Sequence, residues 1–303
     1  SSSTGGFQTM TGNNGKIQNR GFELFIKSNN IVNNNFSWNT TFNISRNKNK
    51  VLELNQGEAR FESVSPQGWY NWEEYAMLKE GYPLSSLYGY VFDGIIQTGE
   101  TYAAQPGSVP GDPKFKDLDG DGQITIDDRE VIGDGNPDVI LGLGNNFKIR
   151  DFDFSFFFDA SVGNDLLNLS RVVLEDNDRL IDSKDRWTQN NPSNEIPRNG
   201  YKKNSGVKYG SYINSRFVEN ASYLRLQNVE VGYSLPLKKW GDMYKYVKNL
   251  RVFVGAQNLF TITGYTGFNP EVSTNGGKAV SQGLDFSSYP AYRTFNFGAK
   301  IIF

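Results

Sequence analysis

Seven segments of this chain alternate apolar with polar residues. A period of two separates them into unlike surfaces only if the backbone is an extended strand with two different faces. Phe36 to Ser45 carries Phe36, Trp38, Thr40, Phe42 and Ile44 on one face and Ser37, Asn39, Thr41, Asn43 and Ser45 on the other. Val139, Leu141, Leu143 and Phe147 alternate with Gly142, Gly144, Asn146 and Lys148. Phe152, Phe154, Phe156, Phe158 and Ala160 alternate with Asp153, Ser155, Phe157 and Asp159. Leu250, Val252, Val254 and Ala256 oppose Arg251, Gly255 and Gln257, and Phe295, Phe297, Ala299, Ile301 and Phe303 oppose Thr294, Asn296, Gly298 and Lys300. Gly21 to Lys27 and Tyr223 to Tyr233 complete the set. In the latter the apolar phase slips after Leu226, which predicts a bulge near Gln227 and Asn228. The expected class is all-β.

Such strands suit either a soluble sandwich or a membrane barrel. Here the polar faces hold Asn, Ser, Thr, Gly and Gln more than Lys and Glu, and the apolar faces gather Phe, Tyr and Trp near strand ends. Outer-membrane barrels place their interfacial girdles in this way. No apolar run approaches the roughly 18 residues of a membrane helix, so a crossing would be made by strands. A mean hydropathy of -0.54 is compatible with that. Strands of about 9 to 11 residues, half of each facing lipid, leave the average to the loops.

The connections alternate. NNIVNN, Ile149 to Asp151 and Leu235 to Asn249 are short, whereas Arg46 to Pro137, Val162 to Ala221 and Leu259 to Tyr289 are long. Periplasmic turns and extracellular loops of a membrane barrel follow this rhythm. The strand-like Leu84 to Gln97 would break it, and is therefore placed inside the first long loop, 46–137. The alternative is a self-contained eight-stranded barrel in which that segment spans. An odd number of crossings is at variance with the even count of bacterial single-chain barrels. The expectation is thus that residues 1–303 are the C-terminal part of a larger transmembrane antiparallel β-barrel, with the remaining strands upstream or in a second chain.

Composition narrows the chemistry. With 31 basic and 33 acidic residues the net charge of -2 makes no electrostatic case for nucleic acid. The absence of Cys and His removes thiolate catalysis, disulfides, the usual general base and the usual zinc ligand. No carboxylate pair stands in a recognisable catalytic setting, so no catalytic residue is assigned and the expected protein is not an enzyme.

One acidic stretch does carry a pattern, DLDGDGQITIDD from Asp117 to Asp128. Asp117, Asp119 and Asp121 occupy positions 1, 3 and 5 of an EF-hand-like loop, with Gly122 at the sharp turn and Gln123 offering its backbone carbonyl. Thr125 and Asp128 stand at positions 9 and 12, and Ile124 should point into apolar packing. A hard cation such as Ca2+ wants six to eight oxygens, which this spacing wraps around one point. No long helical pattern flanks the loop, so the expected role is structural, pinning a long loop near Val139. The alternative is an acidic turn held by Asx hydrogen bonds without metal.

Two loop segments add candidates. GWYNWEEY, Gly68 to Tyr75, puts Trp69, Tyr70, Trp72 and Tyr75 in an exposed loop. There they would stack on sugar rings, anchor a partner, or form the loop's own small core. RVVLEDNDRLIDSKDRW reads as a short helix that buries Val172, Val173, Leu180 and Ile181 beneath a solvated charged face.

Several blocks together resemble the C-terminal barrel portion of the SusC-like (SusC/RagA) family of TonB-dependent outer-membrane transporters. They are NGKIQNRGFEL, EGYPLSSLYGYVFDGIIQTGE, FKDLDGDGQITIDDREVIGDGNPDVILGLGNNF, SYLRLQNVEVGYSLP, LRVFVGAQNLFTITGYTGFNPEV and the terminal RTFNFGAKIIF. They occur in family order over nearly the whole chain. The resemblance implies a large plugged barrel in the bacterial outer membrane that imports a nutrient, glycan or peptide. It also implies a SusD-like surface lipoprotein as lid and energy delivered through TonB. The family's plug and TonB-contacting segment are N-terminal, and no stretch here matches them. Lumen-facing Asp153, Asp159, Arg251 and Lys300 would then pair with the plug, and Phe303 would be the last-strand signal read by the barrel assembly machinery. A soluble calcium-stabilised β-domain that binds carbohydrate is the rival from another class. A barrel of this family recruited as a scaffold in an outer-membrane assembly is a further alternative.

Overall fold

The computed structural model describes residues 15–54, 57–63, 74–176, 180–199, 213–241, 243–274 and 278–303. Along the chain, β1 (Gly15–Val32) and β2 (Phe36–Leu54) form a hairpin. A first excursion follows, with β3 (Arg60–Ser63), β4 (Glu74–Leu78), β5 (Ser86–Tyr90), β6 (Phe92–Ile95), β7 (Pro113–Phe115) and β8 (Arg129–Asp134). The chain returns as β9 (Val139–Ile149) and β10 (Phe152–Val162). A second excursion holds β11 (Asp165–Asn168), helix α1 (Leu169–Asp176) and β12 (Val218–Asn220). Next come β13 (Tyr223–Ser234), the short helix α2 (Met243–Tyr246) and β14 (Asn249–Thr263). A third excursion carries β15 (Leu284–Asp285) and leads to β16 (Thr294–Ile302).

One antiparallel sheet contains seven strands in the order β1-β2-β9-β10-β13-β14-β16. These are the seven alternating segments, and their register keeps the alternation in phase from strand to strand. Trp38, Phe147, Phe154, Val231, Val254 and Phe297 stand side by side in one row. Phe42, Leu143, Phe158, Leu226 and Phe260 form another. The bulge lies where the phase slips: Phe157 faces Asn228 and Phe158 faces Leu226, so Gln227 is skipped. By this one-residue offset both halves of β13 keep their apolar side chains on the same face.

That face is bare. Phe154 is 37%, Val254 55% and Phe297 87% exposed, and no second sheet covers the face among the described residues. Asn145 lies in its aromatic field, yet it is buried and accepts from Trp38 Nε1 at 2.8 Å and Thr40 Oγ1 at 2.7 Å. Its carbonyl thus has partners without water, as a hydrocarbon environment requires. The arrangement fits one stretch of a barrel wall and not half of a sandwich. β1 and β16 are its edges, and the described residues do not close on themselves.

The core lies elsewhere, in a roof built by the three excursions at the end opposite the short turns. Tyr75 and Leu87 from the first, Leu167, Leu169 and Phe217 from the second and Leu284 from the third pack into one cluster. Each side chain of this size contributes about 1.5–3 kcal/mol on burial, so the excursions stabilise one another. β11 pairs in parallel with β15, and Ser85 Oγ donates to the Ala279 carbonyl while accepting from the Gln282 N–H.

Several expectations change here. The first loop leaves the wall later than Arg46, because β2 stays paired with β1 as far as Leu54↔Gly15 after β9 has dropped away beyond Ser45↔Ile140. The ribbon then supports the roof, with the Val51 N–H donating to Tyr82 O and the Gly81 N–H to Val51 O. Leu84 to Gln97 lies in the first excursion as expected, its β5 belonging to the small sheet β3-β4-β5-β8. Of the readings open for the aromatic loop, Tyr75 takes that of a core residue: it is fully buried, its hydroxyl donating to Ser281 O at 3.0 Å. In α1 Val172 is buried. The charges there are not all solvated: Glu175 is buried in a two-point ion pair with Arg216, whose guanidinium lies over the Phe217 ring.

Candidate functional site

The acidic loop is shaped by its own carboxylates. Asp117 accepts from the Gly120 and Gly122 N–H groups, Asp119 from Asp121 and Asp121 from Gln123. Gly120 and Gly122 have φ of +77° and +80° with nothing near a would-be Cβ, so backbone conformation and not space demands glycine there. Thr125 caps the short 3-10 turn Ile126–Asp128, and Asp128 accepts from both the Thr125 and Leu118 N–H groups. Ile124 packs with Tyr90, Ala104 and Phe115 as its position suggested.

From this frame Asp117, Asp119 and Asp128 each bring a carboxylate oxygen within 4.8 Å of the others. Asp121 does not join that trio. The Asp121 N–H lowers the pKa of Asp119, but desolvation and the neighbouring Asp121, Asp128 and Asp117 outweigh it, and the net shift is upward. Like charges gathered in this way favour a cation at their centre. The bound oxygens keep further lone pairs, so the donor set suits a hard cation as well as it suits the Asx turns themselves.

A second site lies on the polar face at the mouth of the wall. Arg225 on β13 is almost fully buried and binds Glu271 of the third excursion through Nη1. It also donates to Thr261 Oγ1 at 3.1 Å and Asn269 Oδ1 at 3.3 Å. Tyr223 donates to the other Glu271 oxygen at 2.7 Å. Beside this network a cavity of about 350 Å³ separates wall from roof. Asp159, Ser161 and Tyr223 line it from the wall, and Glu271, Ser273 and Gln282 from the roof. Excursions packed on this face mark it as the inner one.

Further down the same face, Arg251 binds both Asp153 and Glu230, the latter at 2.6 Å. Asp153 and Arg251, expected to pair with a plug, thus already have partners within the wall, one guanidinium on β14 being shared by carboxylates of β10 and β13. Sequence reasoning missed Glu230, Arg225 and Glu271. Glu230 had a legible signal in its register on β13, but Glu271 sits in a loop with no periodicity to place it. Trp69, Tyr70 and Trp72 lie outside the described residues. Phe303 follows β16 and is exposed.

No family model matches the chain. It is 36% identical over 308 residues to TonB-dependent receptor P3 of Formosa agariphila, a match covering 98% of this chain and 30% of that protein. It is 30% identical over 303 residues to TonB-dependent receptor SusC of Bacteroides thetaiotaomicron, covering 97% of this chain and 27% of the relative. Among solved structures it resembles the RagAB peptide transporter with a TM-score of 0.70 at 22% identity, over 98% of this chain and 30% of that one. The RagAB peptide importer in the "closed-closed" state gives 0.71 at 22%, over 95% and 30%. The chain thus spans about three tenths of the length of the relatives it matches.

Proposed function

This chain belongs to the SusC-like TonB-dependent transporters of the outer membrane, and on that premise we propose that it supplies part of the barrel wall and the extracellular roof of a nutrient importer. The observation that carries the reading is the contrast between faces: a bare apolar surface outward, and a polar surface roofed by three packed excursions inward. The cargo is a glycan or a peptide. A SusD-like lipoprotein closes over the roof and TonB acts through a segment upstream of these residues. The edges of β1 and β16 pair with the other strands of the barrel, and the barrel assembly machinery reads Phe303. The structural resemblance of this chain to the RagAB peptide transporter and peptide importer supports the peptide branch.

The acidic loop fits into this scheme as a fastener. A Ca2+ ion held by Asp117, Asp119 and Asp128, with Asp121, Gln123 and Thr125 contributing, would supply charge neutralisation and hold the first excursion against the wall entry at Val139. Uptake of labelled oligosaccharides and oligopeptides by cells carrying the full-length transporter, with and without functional TonB, tests the proposal. TonB-dependent entry of either class is expected. Entry of neither, with the protein present in the outer membrane, would refute it.

A further inference from the structure

We propose that the outward face of the first hairpin, where it rises out of the apolar band, binds a phosphorylated lipid of the outer leaflet; the inference goes beyond import and rests on the wall reading. β1 pairs with β2 without a register shift from Gln18↔Lys50 to Asn29↔Asn39, so the alternation of faces is unbroken over that length. The outward positions follow directly. Phe42 and Ile44 on β2 stand beside Ile26 and Leu24 on β1, and above them come Arg46, Lys48 and Lys50, with Arg20 opposite Lys48. Intervening side chains turn the other way: Val51 is fully buried, and Asn49 Oδ1 accepts from the Leu84 N–H of the roof. All four cations are exposed. Lys48 makes an exposed 3.9 Å contact with Asp138, and no ion pair or side-chain hydrogen bond engages Arg20, Arg46 or Lys50 among the described residues.

The height of this cluster fits a headgroup. Phe36 at the turn and Arg46 lie about 34 Å apart along β2 at about 3.4 Å per residue, or about 24 Å along the bilayer normal for a strand tilted by about 45°. Outer-membrane barrels have an apolar band of about 25 Å, so Arg46 emerges where hydrocarbon ends on the side of the long excursions. Like charges directly opposite each other in a strand pair are destabilising. Arg20 and Lys48 are such a pair, with Arg46 and Lys50 one outward position to either side of Lys48, and a phosphate between the strands relieves the repulsion.

The same face offers the lipid tail a seat. Phe42, Leu141, Leu143, Phe158, Ala160 and Leu224 line a groove of about 300 Å³. Ala160 lies between Leu141 and Leu224 in the register, and its small side chain leaves the floor low. Phe42 is two outward positions below Arg46, so a phosphate among the cations and an acyl chain in the groove belong to one molecule. Apolar burial and charge attraction then act together.

The test uses the full-length transporter in mild detergent, with bound lipid counted by native mass spectrometry. The probes are diphosphoryl lipid A, monophosphoryl lipid A and inorganic phosphate. Wild type should retain the diphosphoryl form about fivefold or more over the monophosphoryl form, the order expected for one further charge beside such a cluster. Excess inorganic phosphate should not displace it. The triple variant Arg20→Gln, Arg46→Gln, Lys48→Gln, checked for folding by heat-modifiable migration, should lose the preference, whereas Lys300→Gln on the inner face should keep it. Ala160→Phe, which fills the groove, should lower retention of both lipids. Wild type without the preference overturns the proposal, as does a folded triple variant that keeps it, displacement by phosphate alone, or an Ala160→Phe protein with unchanged retention. Absent TonB-dependent uptake with lipid preference intact would refute import and leave this inference standing; lost preference with normal uptake does the reverse.

Discussion

Arg225 of the wall and Glu271 of the third excursion are bound to each other across the mouth, with the Arg225 side chain 5% and the Glu271 side chain 44% exposed. The unequal exposure sets the consequence. Removing the glutamate strands a buried guanidinium, whereas removing the arginine leaves a carboxylate that water still reaches.

Glu271→Ala should therefore loosen the roof more than its own exposure suggests, at a cost of about 1–3 kcal/mol, the range for leaving a buried donor unsatisfied. Hydrogen exchange in the full-length protein would show this as lost protection in residues 264–274 and at the top of β13. Unchanged protection there would contradict the ion pair.

If calcium occupies the acidic loop, a hundredfold excess over its dissociation constant adds about 2.7 kcal/mol of stability. Thermal melting with added Ca2+ and with chelator should differ in wild type and coincide in Asp119→Asn. Terbium luminescence that is equal in the two proteins would argue for an Asx turn without metal.

The junction of roof and wall should respond to pH. Burial raises the carboxyl pKa of Asp165, with the Asp134 N–H opposing and the charges of Asp134 and Asp138 adding to the rise; burial likewise raises Asp134. A raised folded-state value means that the native form binds more protons than the unfolded form in the window above the ordinary carboxylate pKa of about 4. The stability these groups contribute is present below that range and falls as pH rises through the shifted values. Protection factors around β8 and β11, which divide out the slowing of all amide exchange in acid, should accordingly be higher in mild acid than at neutral pH, and Asp165→Asn should flatten the difference. A wild-type profile that rises with pH would refute the assignment.

The two faces should answer differently to the same charge. Val254→Arg on the bare face costs about 2–4 kcal/mol if it lies near the bilayer midplane. Ser155→Arg, from the opposite parity on β10, should be far milder. Urea unfolding in lipid vesicles compares them, and equal penalties would mean that the apolar face does not meet hydrocarbon.

Much of the wall is legible in the sequence. Period-two alternation is a local property, because each residue's face follows from its neighbour's. It located all seven strands and the skipped Gln227, and the spacing of the acidic loop separately placed Ile124 in apolar packing. The demotion of Leu84 to Gln97 came from connection lengths, again countable along the chain. The ion pairs were another matter. Arg216 meets Glu175 and Arg225 meets Glu271 across separations of 41 and 46 residues, through loops whose paths have no period.

What the sequence by itself determined is which side chains share a face, since strand geometry admits one solution for each alternating run. The tertiary structure alone decided which charges pair with one another, that Tyr75 is buried, and that a cavity of about 350 Å³ separates wall from roof. Those outcomes depend on where three long excursions come to rest, and that is governed by their shared apolar core, not by any pattern within one of them.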